Sequence, residues 1–259
     1  MLPLERKLEI VKRIEKDGKV EIEQLANQLN VSSMTIRRDL SLLEKEGKIV
    51  RTHGGAVAAS ELIAETPYSS KSITRIEQKQ TIAKYAATLI PEGSSILLDS
   101  GTTTIEIAKE IKTREDLTIV TNDLKIASEL LDCPSEVICT GGSVQKGVGA
   151  MFGPHAQALL RQIRIDILFL GAHAIDVKNG LSAPTMEKAL IKRLMVESAS
   201  RTWVIADSSK FNKCSFSQVC PLRQIEAIIT DSELSEEDKL RYSEHVNVHQ
   251  VHEGSEEVS

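Results

Sequence analysis

Apolar positions recur at helical spacing in three bursts over the first 45 residues. Leu4, Leu8, Val11 and Ile14 form the first, entered through Pro3 and closed by Asp17-Gly18. Val20, Ile22, Leu25 and Leu29 form the second, which ends at the turn Asn30-Val31. Ser32 then offers an N-cap to a third helix, whose Ile36, Leu40 and Leu43 fall at i, i+4 and i+7 and so share one face. Gly47 ends that helix, IVRT has the composition of a strand, HGG turns it back and AVA returns. Three short helices followed by a β-hairpin predict a small winged helix-turn-helix domain over residues 1–57.

Between residues 58 and 74 the periodicity fades through SELIAETPYSSKSIT, and this stretch reads as a linker. Beyond it, short and nearly continuous apolar runs alternate with helical patterns. SILLD precedes SGTTT and a helix through Ile105, Ala108 and Ile111; LTIV precedes TND and LKIASELL; EVICT precedes Gly-Gly. DILFLG, TWVIADSS and IEAIITD continue the series, with a long helix after Pro184. Strands without polar alternation are covered on both faces, so residues 75–252 are expected to form a doubly wound, mostly parallel α/β domain. An acidic tail, residues 253–259, closes the chain.

Charge sharpens this division. Residues 1–60 hold 11 Lys and Arg against 9 Asp and Glu, a net +2, while the whole chain is at −5, which leaves −7 on the remainder. A mildly basic reader joined to an acidic body fits nucleic-acid contact through the head alone. Aromatic residues make up 3% of the chain, too few for the stacking platform of a single-strand binder. Cys133, Cys139, Cys214 and Cys220 lack CxxC spacing and neighbouring histidines, so reduced thiols are expected and no metal site. No apolar run approaches membrane-spanning length, and a cytoplasmic protein without membrane contact is the expectation.

The candidate chemistry lies in two places. On the third helix, the inward apolar set leaves Ser33, Thr35, Arg37 and Arg38 in the first turns and on the outer side, with Ser32 at the cap. Short hydroxyl side chains let the backbone approach a groove, and arginines reach guanine edges or phosphates. Arg51 and His53 are expected to project from the wing, and Asp39 to orient an arginine. In the body, Asp99-Ser100-Gly101-Thr102-Thr103-Thr104 joins a buried strand to a helix, where backbone N–H groups and hydroxyls make an anion cradle. Parallel strands would bring Asn122, Gly141, Gly142, His173 and Lys210 to the same edge. Glu187, in the first turn of the helix after Pro184, is a further candidate ligand-facing group, and Lys192 reads as part of a solvated face.

VSSMTIRRDLSLLEKEGKIVRTHGGAV resembles the DNA-binding head of the DeoR family of bacterial transcriptional regulators. ILLDSGTTT, TND, TGG, FLGAHAID and ADSSKF resemble, in order, the landmarks of that family's C-terminal sensor domain. The resemblance implies a sensor similar in fold to ribose-5-phosphate isomerases. It also implies phosphate contacts at Gly101, Thr102, Thr103 and Thr104, with Asn122, Gly141, Gly142 and Lys210 around a sugar. The run Gly171-Ala172-His173-Ala174-Ile175-Asp176 departs from the family's usual pattern at His173. The function expected is a repressor of a carbohydrate-use operon that binds double-stranded operator DNA as a dimer or tetramer. A phosphorylated sugar or polyol would be its effector, with no cofactor and no catalytic residue. The alternative is a sugar-phosphate isomerase with an added head, for which Asp99, Glu187 and Lys210 would be the acid–base candidates.

Overall fold

The computed structural model describes residues 2–17, 19–45, 49–51, 54–58 and 68–252. Gly18, Gly47, His53 and the tail 253–259 lie outside the described residues. The head comprises helix α1 (Pro3–Asp17), strand β1 (Lys19–Glu21), helices α2 (Ile22–Leu29) and α3 (Ser33–Lys45), and strands β2 (Ile49–Arg51) and β3 (Gly55–Ala58). Its three strands pair in the order β1-β3-β2, all antiparallel. Asn30 takes the left-handed conformation, φ +51°, that ends α2, and Ser32 Oγ accepts the Thr35 N–H at 3.2 Å as the cap of α3. Ile36, Leu40 and Leu43 are buried as their spacing requires.

The inward face of α1 differs from the expected one. Leu4 and Leu8 are exposed, and the stripe Arg6, Ile10, Ile14 faces inward. The change follows from Asp39, which is buried on α3 and holds Arg6 through Nε at 2.5 Å and Nη2 at 3.3 Å. A buried carboxylate needs a cation, and Arg6 supplies it only if the helix turns that face inward. Asp39 therefore orients an arginine, but one on α1 and not a neighbour on its own helix.

Within the stretch read as a linker, residues 68–73 form helix α4 (Tyr68–Ile73), followed by α5 (Ile76–Thr88). The body continues as β4 (Ser95–Leu98), α6 (Thr104–Ile111), β5 (Thr118–Thr121), α7 (Leu124–Glu129) and β6 (Glu136–Cys139). A hairpin β7 (Ser143–Val144) and β8 (Met151–Phe152) leads to α8 (Pro154–Gln162) and β9 (Ile165–Gly171). Then come β10 (Ala174–Asp176), β11 (Gly180–Ala183), α9 (Met186–Ser198), β12 (Ala199–Ile205), β13 (Ser217–Cys220), β14 (Ala227–Asp231), α10 (Glu236–Ser243) and β15 (Asn247–Val251).

Seven strands form one parallel sheet in the order β15-β14-β12-β9-β4-β5-β6. Consecutive residues alternate between two buried faces. Ile96, Leu98, Phe169 and Ile205 meet α5, α6 and α7, while Leu97, Leu168, Leu170 and Val204 meet α8, α9 and α10. A small antiparallel sheet, β10-β11-β13, packs on the second face; its short strands lie between better-marked elements and carry no clear alternation. From β4 the chain builds outward to β6, then returns to β4's other side and builds β9, β12, β14 and β15. Order thus reverses between β4 and β9, the position at which doubly wound sheets open a crevice beyond their strand ends.

One glycine fixes the wing. A Cβ on Gly55 would stand 1.7 Å from the carbonyl oxygen of Val20, so β3 can lie against β1 only without a side chain there. Gly55→Ala is expected to destabilise the head by about 1–3 kcal/mol, as overpacking of a tight contact does. Hydrogen exchange of α2 and α3 amides in the full chain would read this, and unchanged protection would show that β3 yields freely.

Candidate functional site

The reversal between β4 and β9 opens a cleft of about 610 Å³. Asp99, directly after β4, sits at its floor and is almost wholly buried. Its Oδ2 accepts the Gly171 N–H at 3.0 Å, tying together the ends of β4 and β9 where their ladder stops. Lys192 Nζ, from α9, donates to the same Asp99 oxygen and to the Gly171 carbonyl at 2.8 Å. Burial pushes the Asp99 carboxyl up from its ordinary value, and Lys192 with the backbone N–H groups of Gly171 and Ser100 pulls against that rise.

From Asp99 the chain turns through Ser100 to Thr103 into α6. Ser100 N–H donates to Asn122 Oδ1 at 2.9 Å, and its hydroxyl donates to Asp123 Oδ2 at 2.6 Å. Asn122 itself is buried, and its amide reaches the Met151 carbonyl at 3.5 Å. Thr104 Oγ1 donates to the Gly101 carbonyl at 3.0 Å, closing the loop on itself. Gly101, Thr102 and Thr103 line the cleft at the start of α6, where N–H groups lack helical partners and attract anions.

Opposite this loop stand β12's exit and the short turn Ser208–Lys210. Asp207 is buried and accepts from the Ser209 N–H at 3.0 Å and from its hydroxyl, with Lys210 Nζ at 3.6 Å and Arg75 Nε at 3.8 Å. Burial alone would raise its carboxyl, but Lys210, Ser209 and Arg75 together hold it below the usual carboxylate range. Arg75, at φ +53° between α4 and α5, also donates to Ser208 Oγ at 3.2 Å and Glu233 Oε2 at 2.5 Å. Tyr68 of α4 lines the cleft as well, with Lys125 Nζ 4.1 Å from its ring centroid. Beyond residue 67 the cleft is lined by seven basic side chains, Lys71, Arg75, Lys79, Lys188, Lys192, Lys210 and Lys213, against the two carboxylates Asp99 and Asp207. A body that is acidic overall thus concentrates positive charge in one concavity, which suits an anionic ligand.

Asp99, Gly101, Thr102, Thr103, Thr104, Asn122, His173 and Lys210 meet in this cleft. Three expected residues do not. Gly141 and Gly142 lie outside its lining: both have positive φ, and a Cβ on Gly142 would fall 2.1 Å from the Phe152 carbonyl oxygen, so they shape the turn that seats β7 against β8. Glu187 is exposed and outside the lining, because the helical stripe facing the cleft from α9 passes through Lys188, Ile191 and Lys192. Lys192, expected on a solvated face, instead reaches the cleft floor. The whole α4–α5 contribution, Tyr68, Lys71, Thr74, Arg75 and Lys79, falls where the periodicity fades or begins again.

In the head, Ser32 is exposed at the cap of α3, Ser33 and Thr35 are half-buried in its first turn, and Arg37 and Arg38 are exposed on its outer side. The Ser33 hydroxyl donates to Glu23 Oε2 at 3.0 Å. Arg51 does not project from the wing: its Nη1 donates to Ser41 Oγ at 2.9 Å, which draws the side chain back across α3. Among the described residues no cluster of side chains suits a metal ion, and no helix is long and apolar enough to cross a membrane.

A model of the DeoR-like helix-turn-helix domain matches residues 6–61, and a model of the DeoR C terminal sensor domain matches residues 74–232. The HTH-type transcriptional regulator GlpR of Haloferax volcanii is 38% identical over 239 residues, which cover 92% of this chain and 94% of the relative. The transcriptional repressor AccR of Agrobacterium fabrum is 36% identical over 232 residues, covering 88% and 89%. Among solved structures, ribose 5-phosphate isomerase A from Methanocaldococcus jannaschii is similar over 53% of this chain and 55% of its own, at 17% identity and a TM-score of 0.40.

Removing the cation from the floor leaves Asp99 buried and unpaired. Lys192→Met is expected to cost about 3–5 kcal/mol, the range for breaking a buried pair from one side, and adding Asp99→Asn should recover part of it. Denaturant unfolding of the two variants reads this, and equal losses in both would mean the pair is not coupled. Acid should loosen the opposite wall. A carboxyl held low, as at Asp207, adds stability above the unfolded value, near pH 4, and loses it as pH falls through the folded one. Asp207→Asn should therefore flatten the acid limb of a melting-temperature profile.

Proposed function

This chain belongs to the DeoR family of transcriptional regulators, and we propose that it is a repressor whose DNA affinity is set by a phosphorylated sugar or polyol in the cleft at the end of β4. The DNA-binding output is a property of the family; the effector is the part proposed. One observation carries it: the α6 loop Gly101 to Thr104 and seven basic side chains face a single cavity in an otherwise acidic domain. Backbone N–H groups at a helix start favour a phosphate. The polar walls around it, including Asn122 and His173, give hydroxyl groups of a sugar hydrogen-bonding surroundings.

A binding role is favoured over catalysis by the state of the carboxylates. Aldose–ketose exchange needs a base that reaches the substrate. Asp99 is buried and held by Lys192 and the Gly171 N–H, and Asp207 is held by Ser209 and Lys210. Glu187 lies outside the lining. Both cleft carboxylates are engaged by groups of the protein itself, and purified protein is expected to show no turnover of ribose 5-phosphate.

Recognition is assigned to the exposed outer side of α3, with Arg37 and Arg38 entering the major groove and Ser32, Ser33 and Thr35 near the backbone. A homo-oligomer would set two such helices on two operator half-sites, and an effector that binds one head arrangement more tightly would shift the equilibrium between them. Gel-shift titrations against the DNA upstream of the chain's own gene test both halves. Arg37→Ala is expected to weaken operator binding about tenfold to a hundredfold, the worth of one bidentate base contact, with the oligomer unchanged on size exclusion. Retained affinity would remove Arg37 from the recognition set. At least one phosphorylated sugar or polyol should release the wild-type complex, and a panel without effect would overturn the effector reading.

A further inference from the structure

We propose that Lys79 is the residue through which an anion bound in the cleft acts on α4, the helix that follows the residues joining head and body; this rests on the anion-binding reading given above. Lys79 lies on the buried stripe of α5 with Ile82, Ala83 and Ala86, and only 4% of it is exposed. A lysine on such a stripe needs partners for its ammonium. It finds two, both carbonyl oxygens at the C-terminal end of α4: that of Thr74 at 2.6 Å and that of Lys71. Among the described residues it makes no ion pair, and burial draws its ammonium below the ordinary lysine value.

A buried ammonium with only neutral acceptors is costly, and an anion beside it offsets that cost. Lys79 lines the same cleft as the Gly101–Thr104 loop, and the helix it rides on packs against α6, which that loop begins. An ammonium has three donors. Two are used on α4, which leaves the third for a ligand oxygen.

The other end of the contact gives the inference its direction. Helix α4 has six residues and no buried side chain, and Ile73 is exposed. So short a helix has little stability of its own. Among the contacts that hold it are the Lys79 ammonium at its C-terminal carbonyls, the Lys125 contact on Tyr68, and Arg75 in the following turn. An anion that fixes the Lys79 ammonium therefore fixes the end of α4, and its departure lets α4 loosen. Ligand binding becomes order in the segment next to the DNA-reading head.

Hydrogen exchange on the full-length protein, with inorganic phosphate alone as probe, tests this alongside thermal shift. In wild type, phosphate should raise the melting temperature and slow exchange over residues 68–75. In Lys79→Met, whose apolar side chain suits the buried stripe, exchange there should be fast with or without phosphate, and phosphate affinity should fall at least about tenfold. Lys79→Arg keeps the charge and should restore part of both. If wild type binds phosphate with exchange over 68–75 unchanged, or Lys79→Met binds it as tightly and slows exchange equally, the role of Lys79 is overturned while the anion cleft stands. If phosphate alters neither melting nor exchange around residues 99–104 in wild type, the cleft reading falls and this inference with it.

Discussion

The carboxylate of Asp99 stands where the two halves of the seven-stranded sheet part. Strands β4 and β9 are adjacent, but the chain leaves them in opposite directions, so their ladder must end in a gap. Asp99 spans the gap by accepting the Gly171 N–H, and Lys192 arrives from α9 to neutralise it while binding the Gly171 carbonyl. Three elements far apart in sequence are thereby fixed at one point. The cradle at the start of α6, the loop through His173 and the cleft-facing stripe of α9 all take their positions from it. An apolar residue at 99 would leave the strand end without an acceptor and the lysine without a counter-charge.

A similar device works in the head on a smaller scale. Arg6 and Asp39 lock α1 to α3, which turns Leu4 and Leu8 outward and keeps Arg37 and Arg38 on the opposite side of α3 from the core. In both domains a buried ion pair decides which face of a helix looks inward. Hydrophobic burial supplies the bulk of the driving force, but it does not by itself choose between two nearly equivalent helical stripes.

The difference between what the residues reveal and what they hide follows from this. Elements with strong periodicity, α3 with Ile36, Leu40 and Leu43 or β4 with its unbroken SILL, were legible because burial alone specifies them. The parallel order and the position of the Asp99–Thr104 loop were legible for the same reason. The pairs were not: Lys192 and Lys79 look like solvated charges until the partner is located, 93 positions away for Lys192. Lys79 does carry a signal, since it falls on the stripe of Ile82, Ala83 and Ala86, where a charge is out of place. Gly141 and Gly142 misled because a glycine pair after a strand suits a ligand loop and a tight turn equally, and only the approach of Phe152 to Gly142 distinguishes them. Glu187 misled by one position, which on a helix is a rotation of about 100°.

The described residues of the head's core run from Ile10 to Ala56, and none comes from the body. The helix that begins the body, α4, buries no side chain of its own. Among the described residues, reader and sensor thus share no hydrophobic interior. Recombination between two such genes, breaking between the two described cores, would produce a chimera with both cores intact. A lineage built this way can acquire a new metabolite or a new operator in one genetic step, and the same property makes the chain a ready chassis for engineered sensors.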